Sequence, residues 1–402
     1  MPEPRPITIL CLAGHFKGNA FMEECKRQGC NVLLLTKEKL NDEPWARASI
    51  DEVFLMPDPS KRPDNLYAVS YLARTRQIDR IIPLDDYDVE TVANLREHLR
   101  IPGMGDTTAR HFRDKLAMRV EARDHGLLVP DFTHVLNYDR LREFMGRVSP
   151  PWVLKPRSEA GAMGIKRISS EEELWRWLDT LGDQQSFFVL ERYVPGDVFH
   201  VDSIVPEREV VFSIASQYGR PPLNVSHEGG IFVTRTLSRE SPESQALIAL
   251  NKEVMTALRM VRGVTHAEYI RGHADGRWYF LETAARVGGA NIAETIEFAT
   301  GLNLWAEWAR IELAHVRGEA YQVPPHRSDY AGIVVCLARQ EHPDTSAYND
   351  PELVWRMDKK NHVGLIVASP DPSRVQSLLD SYSQRVAQDF LAVLPPLDKP
   401  ED

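Results

Sequence analysis

The feature that most constrains the fold is a pair of short, continuous apolar runs near the start of the chain, Ile7–Ala13 and Asn31–Thr36. A run that is apolar at nearly every position is typical of a strand buried on both faces, as in a parallel sheet. A helical pattern from Asn19 to Gln28 joins the two runs, and further strand-like segments follow at residues 53–56 and 80–84. Strand–helix–strand units of this kind predict a parallel, doubly wound α/β sheet in the first hundred residues.

The glycine turn after the first predicted strand does not carry the pattern of a dinucleotide site. Its sequence, Gly14-His-Phe-Lys-Gly18, lacks the G-x-G-x-x-G spacing with which such loops approach a pyrophosphate. A connecting turn is therefore the favoured interpretation, with dinucleotide binding as the lesser alternative.

Length and charge limit the kinds of protein that this chain can be. Its 402 residues exceed one ordinary core, so two or three domains around a shared cleft are expected. The formal charge of −10, from 48 basic and 58 acidic residues, argues against the broad basic face of a nucleic-acid-binding protein. It suits an enzyme that holds an anionic nucleotide with a few placed cations.

Cysteine usage and hydropathy predict a cytoplasmic protein. The four cysteines form no CxxC pair and show no zinc spacing, as expected for a reduced, cytosolic chain. The apolar run at residues 7–13 is too short for a signal-peptide core, and no apolar segment has the length of a membrane span. We therefore expect no membrane association, and the sequence leaves a homodimer open.

Beyond the first hundred residues the pattern becomes a mixed α+β one. Helical periodicity predicts single helices at residues 106–126 and 292–316, while short strands dominate between Trp152 and Glu282. The tail after Pro324 adds further strands and a last helix.

A loop of small residues, Ser158 to Gly164, lies between two predicted strands, the first of which carries Lys155. It is not a Walker loop, which runs from a strand into a helix and ends in GK[ST]. Small side chains nevertheless let backbone N–H groups approach phosphate oxygens, and the lysine would direct a cation at the same group. The pattern indicates nucleotide binding; an exposed hairpin tip with an ordinary surface lysine is the alternative.

The segment Glu191-Arg-Tyr-Val-Pro-Gly196 ends a buried apolar strand in a turn. A carboxylate at that position can accept a hydrogen bond from an adenine amino group or a ribose hydroxyl. The backbone of Tyr193 and Val194 would then contact the adenine edge. A solvated acid at a strand end is an alternative of equal weight.

Glu268 and Glu282 lie on two predicted strands joined by a turn at residues 273–276. Two carboxylates on one face repel each other, and a hard divalent cation such as Mg²⁺ relieves that repulsion. Arg286 follows closely and could stabilise the charge that develops in phosphoryl transfer. A salt bridge between Arg286 and one of the glutamates is the alternative.

The two glutamates share a face only if the loop between their strands has the right length. A two-residue turn at Asp275-Gly276, which that dipeptide favours locally, would send them to opposite faces. A loop of three or five residues would set them opposite one another. We expect a three-residue loop with Gly276 in the left-handed conformation, and Glu268 paired with Glu282.

These segments, in this order, resemble the motifs of the ATP-grasp superfamily. They are Asp114-Lys115, Val153-Leu-Lys-Pro156 with its glycine loop, Glu191-Arg-Tyr-Val194, Thr265-His-Ala-Glu268 and Leu281–Asn291. The resemblance covers nearly the whole chain, and the last segment is most similar to the L-amino-acid ligases that make dipeptides. It implies an α/β and α+β fold with a Rossmann-like domain at 1–110, an ATP-grasp lid subdomain at 111–190, an antiparallel catalytic body at 191–325 and a small C-terminal subdomain at 326–402.

The resemblance also implies a role for each motif. The residues that it implies for ATP binding are Lys115 and Lys155 at the phosphates, Ser158, Gly161 and Gly164 in the lid loop, and Glu191, Tyr193 and Val194 at adenosine. Glu268 and Glu282 are implied to bind Mg²⁺, for which Mn²⁺ can substitute, and Arg286 is implied to be the catalytic arginine.

The chain departs from the family pattern at three places. Ala284 stands where many relatives have a third metal ligand, an asparagine, so Asn291 or a water molecule is the candidate replacement. Relatives often carry a glutamate two residues after the turn glycine, where this chain has Val198, so Asp197 or Asp202 is the candidate nucleotide contact there. Acceptor-binding positions vary within the family; the candidates here are His227 and Glu228 in the segment Asn224–Gly230, with Gly288 and Gly289 beside the arginine. A solvated loop at residues 224–230 is an alternative of equal weight.

Together these features predict an ADP-forming carboxylate–amine ligase that makes an amide or peptide bond through an acyl phosphate. Its partners would be a small-molecule carboxylate and an amine, both supplied by amino acids in a dipeptide-forming reaction. Two alternatives remain: another ATP-grasp chemistry, such as a bicarbonate-using carboxylase or a purine-pathway ligase, and a nucleotide-binding regulator without turnover.

Overall fold

The computed structural model describes residues 5–393, apart from the side chains of residues 226–228. The strands are β1 Thr8–Ala13, β2 Asn31–Lys37, β3 Glu52–Met56, β4 Arg80–Pro83, β5 Phe132–His134, β6 Trp152–Pro156, β7 Lys166–Ile168, β8 Phe188–Arg192, β9 Gly196–Val205, β10 Phe212–Tyr218, β11 Phe232–Thr236, β12 Gly263–Gly272, β13 Trp278–Ala284, β14 Tyr330–Leu337, β15 Leu353–Arg356 and β16 His362–Ser369. The helices are α1 Asn19–Arg27, α2 Asp64–Ala73, α3 Val89–Leu99, α4 Asp106–Arg110, α5 Lys115–Asp124, α6 Tyr138–Arg147, α7 Glu171–Leu181, α8 Pro222–Glu228, α9 Pro242–Ala257, α10 Ile292–Thr300, α11 Leu304–Arg317 and α12 Pro372–Asp389.

The first four strands form the predicted parallel sheet, in the order β3-β2-β1-β4. Every residue of β1 is buried. Because successive side chains of a strand point to opposite faces, Ile9 and Cys11 join one apolar cluster while Leu10 and Leu12 join another. The continuous apolar run is therefore explained by burial on both faces.

Two of the predicted helices are each divided into two. The helix expected at residues 106–126 is interrupted before Asp114, whose carboxylate accepts from the backbone of Leu116 and Ala117 and so begins α5. The helix expected at residues 292–316 is interrupted at Gly301, which has a φ of 81°, and α11 begins at Leu304, directly after the cap residue Asn303. Both single-helix predictions were wrong because side-chain caps and a left-handed glycine start and stop helices within one apolar period.

The second sheet is antiparallel, with the order β5-β8-β6-β7, and it has an apolar core of its own with α6 and α7. The third sheet has eight strands in the order β13-β12-β9-β10-β11-β14-β16-β15. Strands from beyond residue 325 thus extend the sheet of the body, and the boundary predicted at residue 326 falls within one continuous sheet. The same strands pack against α12 around a separate apolar cluster.

Helices α1 and α11 join the first domain to the body through Glu24. Its carboxylate accepts hydrogen bonds from Arg27 of its own helix and from Arg310 of α11, both at 2.8 Å. In residues 5–393 no helix is long and apolar enough to cross a membrane. The cytoplasmic location and the homodimer stay predictions.

Candidate active site

The two glutamates expected to hold a metal pair directly with each other in the β12–β13 hairpin. The loop differs from the expected one: Gly272 accepts from Gly276 and donates to Arg277, which closes a loop of four residues, 273–276. Gly276 has the expected left-handed conformation, with a φ of 66°. The expected register is therefore confirmed, whereas the three-residue loop was wrong.

A β-bulge reconciles the loop with the register. Close to the turn, Tyr269 pairs with Phe280, and this register alone would place Glu268 opposite Leu281. The register shifts between Glu268 and Tyr269, so that β13 contributes one extra residue and Glu282 comes opposite Glu268. The carbonyl group of Leu281 accepts a hydrogen bond from the buried guanidinium of Arg119. The bulge thus brings both carboxylates to one face.

A buried cluster of charges lies beside this hairpin. The Glu191 carboxylate is 2.6 Å from Nζ of Lys155 and 2.9 Å from Nε of Arg119. Burial raises the pKa of Glu191, but Arg119 and Lys155 outweigh it and hold the pKa below its ordinary value. Burial lowers the pKa of Lys155, and Glu191 opposes that shift. The Glu191 side chain therefore fixes two cations, and it also lies in the wall of the neighbouring cavity.

Lys115, the first residue of α5, connects the lid loop to the glutamate pair. Its Nζ lies 3.3 Å from Oε2 of Glu282 and donates at 2.5 Å to the carbonyl oxygen of Glu159. Burial raises the pKa of Glu282, but the cations Lys115, Lys155 and Arg119 outweigh it and lower the pKa to about 2. Glu282 is therefore a carboxylate at neutral pH and faces cations that could equally contact phosphate oxygens.

Arg286 is paired with a carboxylate of the first domain and not with the two glutamates. Its Nε lies 3.8 Å from Oδ1 of Asp86, while Oδ2 of Asp86 accepts from Arg113 at 2.8 Å. Within residues 5–393, Arg286 forms no ion pair with Glu268 or Glu282. The alternative of a structural Arg286–glutamate salt bridge was therefore wrong, because Asp86 supplies the nearby negative charge.

The loop of small residues takes up left-handed backbone conformations at Gly161, Ala162 and Gly164. Its residues 159–162 and Ile165 line one cavity together with the charged groups described above. The carbonyl oxygen of Ser158 accepts from Arg113, which links the loop to the arginine beside Asp86. The loop therefore closes one side of the cavity, as expected for a lid.

The cavity has a volume of about 340 Å³ and gathers most of the predicted residues. Those that line it are Lys115, Lys155, Gly161, Glu191, Tyr193, Val194, Glu268, Glu282, Arg286 and Gly289. Those of the described residues that lie outside its lining are Ser158, Gly164, Asp197, Gly288 and Asn291. The side chains of His227 and Glu228 lie outside the described residues.

Two of the residues outside the lining have other contacts. The side chain of Asp197 is 59% exposed and lies 3.3 Å from His273 of the hairpin loop. Asn291 stands at the start of α10 with a φ of 58°, where its carbonyl group accepts from Thr295. A nucleotide contact by Asp197 and metal binding by Asn291 both stay predictions.

A polar network below the glutamates was missed from the sequence, which indicated one of its members, Asp202, only as a candidate nucleotide contact. Asp202 accepts from Nδ1 of His200 at 2.7 Å and from Nδ1 of His266 at 2.9 Å. Burial lowers the pKa of His266, but Asp202 and Glu268 outweigh it and raise the pKa to about 9. Tyr218 completes the network by donating to Oε1 of Glu268 at 2.7 Å. The signal was present: polar residues alternate along the otherwise apolar strands β9 and β12.

The donor set fits a hard divalent cation. Glu268 and Glu282 supply carboxylate oxygens on one face of the hairpin, and both line the cavity. Mg²⁺ binds through one or two carboxylates together with substrate phosphates, which the neighbouring lysines could hold. His200, Asp202 and His266 also lie close enough to hold an ion, but their ligand atoms are engaged in mutual hydrogen bonds.

Comparison with known families decides the identity of this part of the chain. Residues 148–294 match the family model of the ATP-grasp domain. This region is an ATP-grasp domain. It contains the lid strands β6 and β7, the loop between them, and both glutamates on the β12–β13 hairpin. The ATP-grasp fold predicted from the motifs is thereby confirmed.

The relatives of this chain include amino-acid ligases. It is 26% identical over 268 residues to an L-arginine-specific L-amino acid ligase of Bacillus subtilis, an alignment that covers 65% of this chain and 63% of that protein. It is 23% identical over 203 residues to D-alanine–D-alanine ligase A of Bacillus cereus, covering 48% and 64% of the two chains. The chain thus spans less than two thirds of the length of either relative.

Solved structures share the fold over almost the entire chain. The L-amino acid ligase from Bacillus licheniformis superimposes with a TM-score of 0.77 at 16% identity, covering 97% of this chain and 99% of that one. A carboxyaminoimidazole ribonucleotide synthase from Aspergillus clavatus, complexed with ATP, gives a TM-score of 0.73 at 16% identity, covering 96% and 99%. At these identities the likeness establishes the fold alone.

Proposed function

We propose that this chain is an ADP-forming ligase that joins the carboxylate of one amino acid to the amine of another through an acyl phosphate. The observation that carries the proposal is the pairing of Glu268 with Glu282 beside Lys115 and Lys155 in one cavity. A carboxylate pair and two buried lysines match the charges of a magnesium–nucleotide complex. The named amino-acid ligases among the relatives support amino acids as substrates.

Each wall of the cavity has a part in holding the nucleotide. Lys115 and Lys155 would contact the phosphates, and the lid residues 158–164 would cover them. The backbone at Tyr193 and Val194 lines the cavity at the end of β8, where it would contact adenine. The Glu191 carboxylate would keep Lys155 charged and in place rather than act as the main acceptor for adenosine.

Glu268 and Glu282 would hold Mg²⁺, with Mn²⁺ as a substitute. When bound, the cation neutralises negative charge on the phosphate groups. The remaining site candidates, Asn291 as a third ligand and Asp197 as a nucleotide contact, would need a local rearrangement, because neither lines the cavity.

The reaction has two steps whose atoms balance. An oxygen of the substrate carboxylate bonds to the γ-phosphorus of ATP, the bond to the bridging oxygen breaks, and ADP leaves. The amine nitrogen then bonds to the acyl carbon, phosphate leaves, and the amine loses a proton to solvent. Arg286 would bind the charge that develops on the transferring group, and the closed lid would keep water from the acyl phosphate.

One observation leaves open a second type of reaction for a protein with this fold. The fold is also that of a carboxyaminoimidazole ribonucleotide synthase, so fold alone does not select amino acids. Phosphate release that requires bicarbonate, and not a pair of amino acids, would select a carboxylase-type reaction instead. Nucleotide binding without turnover, both with amino-acid pairs and with bicarbonate, would indicate a nucleotide-binding regulator.

A pairwise amino-acid screen tests the proposal. We expect ADP and phosphate to form only with certain pairs, and mass spectrometry to detect the dipeptide. With an ¹⁸O-labelled carboxylate, one labelled oxygen should appear in the phosphate; AMP and pyrophosphate as products would refute the acyl phosphate. Arg286→Ala should abolish turnover with nucleotide affinity nearly intact, whereas Lys155→Ala should weaken nucleotide binding.

A further inference from the structure

Tyr218, the last residue of β10, is buried in the sheet below the glutamate pair. Strand β9 lies between β10 and β12, so the tyrosine side chain extends across β9 to reach Glu268. Its hydroxyl group donates to Oε1 of Glu268 at 2.7 Å. A residue two strands away therefore contacts one of the two carboxylates that we assign to the metal.

From this contact we propose that Tyr218 is a positioning residue that turns the Glu268 carboxylate toward the metal. A phenol is a hydrogen-bond donor at neutral pH, and Oε1 is the oxygen that it engages. The carboxylate plane is thereby fixed, which leaves Oε2 as the oxygen directed to a cation. This inference rests on the metal site of the proposed function and not on which bond the enzyme forms.

A second group competes for the same carboxylate. Nε2 of His266 lies 3.7 Å from Oε1 of Glu268 and 3.4 Å from the Tyr218 hydroxyl. Without the phenol, a movement of the carboxylate by about 0.5 Å would bring Oε1 within hydrogen-bond distance of the imidazole. The imidazole would then compete with a cation for the Glu268 carboxylate. The tyrosine therefore holds the carboxylate against this local competitor.

The ring of Tyr218 is held rigidly enough for this task. Its centroid lies 4.8 Å from that of His200 and 5.6 Å from that of Phe232. His200 is in turn fixed at both nitrogens, by Asp202 at 2.7 Å and by the Thr234 hydroxyl at 2.8 Å. The network that the sequence did not reveal thus serves as a frame for the tyrosine.

Binding of Mn²⁺ to Tyr218→Phe in the presence of a non-hydrolysable ATP analogue tests the inference. The substitution keeps the ring and removes only the hydroxyl group. Loss of an outer partner of a metal ligand typically lowers metal affinity about 10-fold or more. We expect the Mn²⁺ dissociation constant, measured by electron paramagnetic resonance, to rise by about that factor, with affinity for the metal-free analogue unchanged.

Tyr382→Phe is the matched control. Tyr382 is also buried and also donates to a carboxylate, Asp350 at 2.8 Å, but it lies on α12 and outside the cavity lining. It should leave the Mn²⁺ dissociation constant unchanged. Thr234→Val, which removes one anchor of His200, should raise the constant in the same direction by less, and it decides the question if Tyr218→Phe does not fold.

Three results would overturn the inference. They are equal Mn²⁺ affinity in Tyr218→Phe and the unaltered protein, an equal loss in Tyr382→Phe, and a parallel loss of affinity for the metal-free analogue. No Mn²⁺ binding by the unaltered protein would refute the metal site and this inference together. Failure of the amino-acid screen with normal Mn²⁺ binding would refute only the proposed reaction.

Discussion

Replacing Glu191 by glutamine tests the buried charge cluster beside the hairpin. The substitution preserves the size of the side chain but removes the carboxylate that lies 2.6 Å from Lys155 and 2.9 Å from Arg119. Removing one partner from a buried ion pair costs about 3–5 kcal/mol, because a charge stays unpaired in a medium of low dielectric constant. Loss of a proton by Lys155, whose pKa burial already lowers, relieves part of that cost. We therefore expect the free energy of unfolding to fall by about 3 kcal/mol.

Urea unfolding followed by tryptophan fluorescence measures this loss. Glu143→Gln is the control, since Glu143 is exposed on α6 and the same substitution there should change the free energy of unfolding by less than about 0.5 kcal/mol. The difference in the free energy of unfolding between the two variants should decrease when ATP and Mg²⁺ are added, because phosphate oxygens then supply negative charge to Lys155. If Glu191→Gln is destabilised no more than Glu143→Gln, the reasoning from buried charge is refuted.

Deleting Leu281 should remove the β-bulge and leave Glu282 directly opposite Glu268, so that Mn²⁺ binding, measured by electron paramagnetic resonance, is retained; lost binding would contradict the register argument. Burial raises the pKa of Glu24, but its arginine partners outweigh it and lower the pKa to about 2. Because the pKa is lowered in the folded state, the ionised Glu24 carboxylate stabilises the fold at pH values above its ordinary pKa, and this contribution is lost as the pH falls toward 2. Between pH 5 and pH 2 the free energy of unfolding of the unaltered protein should therefore fall by roughly 2 kcal/mol more than that of Glu24→Gln; equal losses in urea titrations would refute this. Tryptic cleavage after Lys166 should slow with ATP and Mg²⁺ on a gel time course, and unchanged rates would count against a closing lid.

Much of the fold could be predicted because its strands and helices are specified locally. The apolar run of β1 indicated a strand buried on both faces, and the parallel sheet followed from it. The predictions that failed concern helix ends that depend on a single side chain or backbone conformation, such as the cap at Asp114 and the left-handed Gly301. Strands β11 and β15 were missed because they are short and only partly buried, so their apolar periodicity is weak.

The site could be predicted where residues adjacent in sequence carry the chemistry. Lys155, Glu268 and Glu282 all line the cavity, as their spacing indicated. The partners of other site residues come from distant segments of the chain. Arg119 of α5 contacts Glu191, and Asp86 of the first domain lies beside Arg286. Arg119 does lie four residues after Lys115 on the same helical face, which is the one local signal that could have revealed it.

The place of β11 in the eight-stranded sheet determines when this protein can finish folding during synthesis. One neighbour of β11 is β10, which precedes it on the ribosome, but the other is β14, which is made only after the whole β12–β13 hairpin and three helices. Until then the nascent body carries an open strand edge, which invites pairing with other chains. Phe232 of β11 lines the cavity, so this part of the cavity wall gains its second flanking strand only when Tyr330–Leu337 has been made.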